Sequence, residues 1–156
     1  MSERDELIQR LTLLGQIDST QTALFQQKAA ASFGLGITEL KALDILTREG
    51  SQTAGQLTAA LHLTSGAITG VIDRLEKHGL AHRGADSADR RRVVVTADFA
   101  KLAEGENPYQ GIGAAFAELH GSYTTEQLEF LVRHLEASTE ITKRELGNLG
   151  ETSSAG

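Results

Sequence analysis

The chain has 156 residues, 40% hydrophobic and 23% charged, which suffices for one domain with a proper core and leaves little for a second. Only 4% aromatic content and a single proline favour helices over a sandwich of short strands, and the lack of cysteine excludes disulfides, thiolate zinc sites and thiol-based redox sensing. The net charge of −6 is unevenly spread: residues 74–92 hold six Lys/Arg against three acids, and the other 137 hold nine against eighteen.

A basic patch on an acidic body lets one face approach a polyanion while the rest discourages non-specific coating. The opening MSERDELIQR lacks the basic flank and apolar core of a signal peptide, and no apolar run nears the roughly 20 residues that span a bilayer. A cytoplasmic protein without a membrane partner is expected.

From Glu3 to about Ser32, Leu7, Leu11, Leu14, Ile17, Leu24 and Phe25 recur mostly at three- and four-residue intervals, which predicts a long helix ended by Gly34-Leu35-Gly36. Thr38 is placed to cap a second helix through about Arg48, with Leu40, Leu43 and Leu46 inward and Gly50 as its stop. Thr53-Ala-Gly-Gln56 has the form of a capping box and predicts a short third helix to about Leu61. Thr64 caps the next helix, in which Ile68, Val71, Ile72 and Leu75 form the core-facing stripe. Its other side carries Ser65, Gly66, Thr69, Gly70, Asp73, Arg74 and Lys77, and Gly79 closes it.

Leu80–Arg83 and Arg91–Thr96 read as two strands around a polar loop from Gly84 to Asp89. Helical pattern returns at Phe99, breaks between about Gly105 and Pro108, and resumes through Ile112, Phe116 and Leu119. Thr124 with Gln127 forms a second capping box before a last helix marked by Leu128, Leu131, Val132, Leu135 and Leu146. The glycine-rich end, residues 148–156, reads as a disordered tail.

Two short helices joined by a tight turn, then strand, basic loop and strand, make a winged helix-turn-helix. The segment TSGAITGVIDRLEKHGLAHR followed by DRRRVVVT resembles the MarR (multiple antibiotic resistance regulator) transcription factors. The likeness is clear over about residues 38–98 and extends to the flanking helices by arrangement. It implies a mainly α fold with a small β-hairpin wing, as a single domain over residues 1–147. Residues 1–33 and 98–147 would be dimerisation helices around a winged part at 38–97. It also implies a homodimer on double-stranded DNA, a repressor of a pseudo-palindromic operator, relieved by a small apolar or phenolic effector. No cofactor is implied.

The candidate DNA-binding set is Thr53, Gln56, Thr64, Ser65, Gly66, Thr69, Arg74, Arg83, Asp89, Arg90, Arg91 and Arg92. By position, Ser65, Gly66 and Thr69 would face bases or phosphates, Arg74 a phosphate, and Arg91 the minor groove with Asp89 holding it. Hydroxyls serve base edges and phosphates alike, and a guanidinium suits a narrow electronegative groove. The chain departs from the family in interrupting the helix after the wing with GENPYQG, so no ligand residues are carried over.

Blander readings stand beside these. Asp73, Arg74, Glu76 and Lys77 could pair along their own helix, and Gly66 and Gly70 could be packing sites against the preceding helix. A winged helix can also serve as a protein-interaction module without DNA. His62, His78, His82, His120 and His134 raise a metal-responsive regulator, but their spacing sets up no site, since His78 and His82 straddle the Gly79 stop. No nucleophile, P-loop or dinucleotide motif supports an enzyme.

Overall fold

The computed structural model describes residues 2–104 and 107–152, and these form helices with one antiparallel hairpin. In chain order they are α1 (Glu3–Ser32), α2 (Ile37–Glu49), α3 (Ala54–Leu61), α4 (Ser65–Lys77), β1 (Ala81–Ala85), β2 (Val93–Ala97), α5 (Phe99–Leu102), α6 (Tyr109–Gly121) and α7 (Thr125–Thr152). The chain packs as two compact units, Met1–Pro108 and Tyr109–Gly156.

In the first unit, α4 packs on α2, α3 and β1. Its predicted stripe is the centre of the core: Ile68, Val71, Ile72 and Leu75 are all buried, against Leu40, Leu43, Leu46 and Leu57. Each such side chain contributes roughly 1.5–3 kcal/mol by leaving water. The C-terminal part of α1 joins this core through Ala29 and Ala30, with Phe25 packed against it, while Leu7, Leu11, Leu14 and Ile17 remain exposed.

Helix ends follow local chemistry. Ser2 caps α1 in a capping box with Asp5, and the chain leaves α1 through Gly34, whose φ of 70° falls in the left-handed region. The α2 cap differs from expectation: the helix begins at Ile37 after Gly36, and Thr38 lies inside it. Both predicted capping boxes form, Thr53 with Gln56 and Thr124 with Gln127.

The hairpin pairs Arg83 with Val95 and Ala85 with Val93, so both strands sit one or two residues later than the sequence pattern placed them. A third segment joins it: Gln52 exchanges backbone hydrogen bonds with Val95 at 3.0 and 2.7 Å, and the Ser51 and Thr96 hydroxyls lie 2.7 Å apart. These bonds tie the base of the hairpin to the start of α3.

After β2, Asp98 caps the single-turn α5. The expected break falls between α5 and α6; its first two residues, Gly105 and Glu106, lie outside the described residues, and Pro108 directly precedes α6. In the second unit, Phe116, Leu119, Phe130, Leu135 and Leu146 are exposed along α6 and α7. Helix α7 continues to Thr152, so residues 148–152, expected to be disordered, are helical instead. Leu149 keeps the three- and four-residue spacing of Leu135, Thr142 and Leu146, and an isolated glycine such as Gly147 costs a helix only about 1 kcal/mol. Residues 153–156 lie outside the described residues.

Candidate nucleic-acid interface

The tight turn between α3 and α4 is made by His62, whose φ of 53° and ψ of 43° reverse the chain, with the Leu63 amide bonding the Thr58 carbonyl at 3.1 Å. The Thr64 hydroxyl then accepts from the Ala67 amide at 3.2 Å and starts α4. Thr53, Gln56 and Thr64 thus spend side-chain oxygens on holding helix N-termini, which orients the two N-terminal turns.

Burying one stripe of α4 turns Ser65, Gly66, Thr69, Asp73, Arg74 and Lys77 outward. The Thr69 hydroxyl donates to the Ser65 carbonyl at 3.1 Å, which leaves its oxygen the capacity to accept. A side-chain atom added at Gly66 would meet nothing within 4 Å, and one at Gly70 would meet only the Arg74 guanidinium, at 3.3 Å. Packing against a neighbouring helix therefore explains neither glycine.

Arg74 does not pair along its own helix. Its Nε donates to Glu39 of α2, a residue only 5% exposed. Burial pushes the Glu39 carboxyl pKa up, but its own backbone amide, the hydrogen bond and charge of Arg74, and the Gly36 amide outweigh that and bring it below the usual value. Arg74 is thereby anchored by one nitrogen while its side chain stays 57% exposed. Glu39 was missed in the sequence, although its place four residues before Leu43 on the apolar stripe marks it as a charge on a buried face.

Arg83 is engaged with two acids of α4. Its guanidinium bonds Asp73 at 2.7 Å and Glu76, and its backbone amide bonds Glu76 at 2.8 Å. The hydrogen bond to Asp73, with the charge of Glu76, holds its pKa above the ordinary arginine value against partial burial. Asp73 and Glu76 thus pair across to the hairpin, as Arg74 pairs across to α2, and not within α4.

At the hairpin tip, the Asp89 carboxylate accepts from the Arg91 backbone amide at 3.0 Å, and the Asp89 carbonyl accepts from the Arg92 amide at 2.9 Å. Asp89 therefore shapes the backbone that carries Arg91, whereas it was expected to hold the arginine head. Asp86 accepts from the Ala88 amide at 2.8 Å and lies 3.9 Å from the Arg92 guanidinium. Arg90 and Arg91 are exposed and, among the described residues, have no carboxylate within ion-pair distance; the same holds for Lys77 on α4. No three His, Asp or Glu side chains among the described residues converge as a metal-ligand set.

The MarR family profile matches residues 35–93, from the end of α1 to the start of β2. Over 148 residues, 95% of this chain and 96% of the relative, the chain is 35% identical to the HTH-type transcriptional regulator YcgE of Bacillus subtilis. The chain belongs to the MarR family. A second relative in Bacillus subtilis, the HTH-type transcriptional regulator MhqR, is 36% identical over 115 residues, 71% of this chain and 72% of that protein. Among solved structures, a MarR family protein from Bacillus stearothermophilus matches with a TM-score of 0.65 over 92% of this chain and 99% of that one, at 20% identity. BldR from Sulfolobus solfataricus matches at 0.54 over 92% and 99%, at 23% identity. At those identities the solved structures speak for the MarR fold, a mainly helical body with a two-stranded wing. As a MarR-family member the protein is a DNA-binding transcriptional regulator and not an enzyme.

Proposed function

We propose that the protein acts as a homodimeric repressor on a pseudo-palindromic operator. Each subunit would place α4 in a major groove and the β1–β2 tip in the adjacent minor groove, with half-sites about one helical turn apart. The observation that carries this reading is the exposed face of α4. Two glycines that no contact among the described residues requires lie there beside Ser65 and Thr69, in the same unit as Arg90 and Arg91, which have no carboxylate partner among the described residues. Glycine in a helix is a cost that close backbone approach to another surface offsets.

Ser65, Gly66 and Thr69 take the base-facing role in this reading, and Arg90 and Arg91 the minor-groove role. Thr53, Gln56 and Thr64 orient helix N-termini toward phosphates, Asp89 supports the tip, and Arg92 flanks it. Arg74 reaches a phosphate with the nitrogens that Glu39 leaves exposed. Rows of exposed apolar side chains on α1 and α7 support dimerisation, since a second copy would remove them from water. Family membership supports release by a small apolar or phenolic effector, and a groove of about 410 Å³ beside Tyr123, Phe130 and Leu131 has the volume for one. No described helix is long and apolar enough to cross a membrane, in keeping with a cytoplasmic regulator.

Selection of bound duplexes from a random pool, repeated with phenolic compounds and paired with sedimentation, tests the whole reading. Enrichment of an inverted repeat by a dimer, lost on adding an effector, is the expected result. No enrichment over unselected DNA would refute DNA reading by α4, and enrichment of a single non-repeated site by a monomer would refute the two-fold arrangement.

A further inference from the structure

Asp73 and Glu76 put two carboxylates on the outward side of the helix that approaches DNA, where unpaired acids would repel phosphates. Both converge on Arg83, the third residue of β1: Asp73 and Glu76 hold its guanidinium and Glu76 also holds its backbone amide. One residue of the wing is thereby gripped at both main chain and side chain by two positions one turn apart on α4. The guanidinium is a planar fork that resists rotation when bonded on both sides. From Arg83 the strand leads toward the loop that carries Arg90 and Arg91.

We infer that Arg83, Asp73 and Glu76 form a positioning brace that sets the angle between the recognition helix and the wing, and that none of the three is a DNA contact. The inference rests on the DNA-binding reading above. Four residues of extended chain separate the brace from the tip, about 13 Å, so a rotation of roughly 10° at Arg83 moves the arginines by about 2 Å. That displacement is enough to break a hydrogen bond to a phosphate or groove edge. Arg83, for all its charge, would then contribute through geometry and not through counterion release.

The decisive variant is Asp73→Asn, at an exposed site that keeps shape and helix propensity. If Asp73 were only a surface acid, removing its charge would tighten DNA binding; if it braces the wing, binding weakens. Binding of the full-length protein to its selected duplex, titrated by fluorescence anisotropy at several salt concentrations, reads the difference, with thermal melting as the check on folding. The expected result is about tenfold weaker binding for Asp73→Asn, with the salt slope lowered as it is in Arg91→Ala because the misplaced wing loses the same contact. Arg83→Lys should weaken binding as much as Arg83→Ala does, because the charge returns without the fork. Combining Asp73→Asn with Arg91→Ala should cost little more than Arg91→Ala alone, since a misplaced wing has already lost that contact.

Equal or tighter binding by Asp73→Asn, rescue by Arg83→Lys, or a salt slope that falls by a further ~0.9 when Arg83→Ala is added to Arg91→Ala would overturn the brace. If wild-type protein binds and Arg91→Ala weakens it, such a result removes the brace alone. Salt-independent binding, or none, by the wild type would remove the DNA reading and the brace with it.

Discussion

Gly66→Ala should make the protein more stable and a poorer DNA binder. Gly66 is the second residue of α4, and an added methyl would find nothing within 4 Å, so no packing penalty opposes the gain in helix propensity. That gain is about 1 kcal/mol in a helix interior and about half of it in the first turn, or ~0.5 kcal/mol. For a chain of this length the melting temperature should rise by about 1–2 °C. With α4 in the groove as proposed, the same methyl would enter a close contact, and inserting a methyl group into a packed surface costs roughly 1–3 kcal/mol, about 5- to 150-fold in affinity. Gly70→Ala provides an internal comparison, because its methyl would meet the Arg74 guanidinium at 3.3 Å while Glu39 holds that group by Nε. Its stability should change little while its affinity also falls. Thermal melting and anisotropy with a selected duplex measure both quantities on the same samples. A Gly66→Ala protein that melts higher and binds as tightly as wild type would refute close approach by this face of α4.

Arg91→Ala should weaken duplex binding and lower the magnitude of the salt slope by about 0.9 per subunit, with the melting temperature unchanged, as the side chain has no ion pair among the described residues. Glu39→Gln should destabilise the fold by about 1–3 kcal/mol at neutral pH, because it leaves the Arg74 and Gly36 donors with a weaker partner at a buried site. The folded pKa of Glu39 lies below its ordinary 4.5, so its stabilisation is present above that value and is lost as pH falls through the folded one. Urea titrations of wild type and Glu39→Gln should therefore differ most at neutral pH and converge in acid. A constant difference across that window would show that Glu39 acts through shape alone.

Periodicity and caps made most of the first unit readable. The α4 stripe needed only the spacing of Ile68, Val71, Ile72 and Leu75, and the capping boxes at Thr53 and Thr124 needed only a hydroxyl three residues before an amide side chain. The long-range pairs were illegible for a physical reason. Nothing in local spacing says that Arg83 will meet residues seven and ten positions earlier, or that Arg74 will reach back to Glu39, because those distances are set by how α2, α4 and β1 stack. The Gln52–Val95 bridge escaped notice likewise, since an isolated two-way backbone bond leaves no side-chain signature. At residues 148–152 composition misled: Gly147 and Asn148 resemble a stop, but helix propensity is a sum over the window and Leu149 continues the stripe.

The ion pairs also change what the basic patch means. Residues 74–92 carry six Lys/Arg, yet Arg74 is anchored by Glu39, Arg83 by Asp73 and Glu76, and Arg92 lies near Asp86. Lys77, Arg90 and Arg91 are left without a carboxylate partner among the described residues. Counterion release depends on cations newly given to phosphates, and Arg74 reaches its phosphate already neutralised by Glu39, so a dimer using the other three per subunit would neutralise about six phosphates and show a log–log salt slope near −5. Counting every arginine and lysine of the patch would instead give about −11. The fold therefore spends half of the local positive charge on setting the wing and the helix in place. A measured slope near the smaller value would mean that the acids of α4 act mainly as internal partners, and a slope near the larger one that those pairs open when DNA arrives.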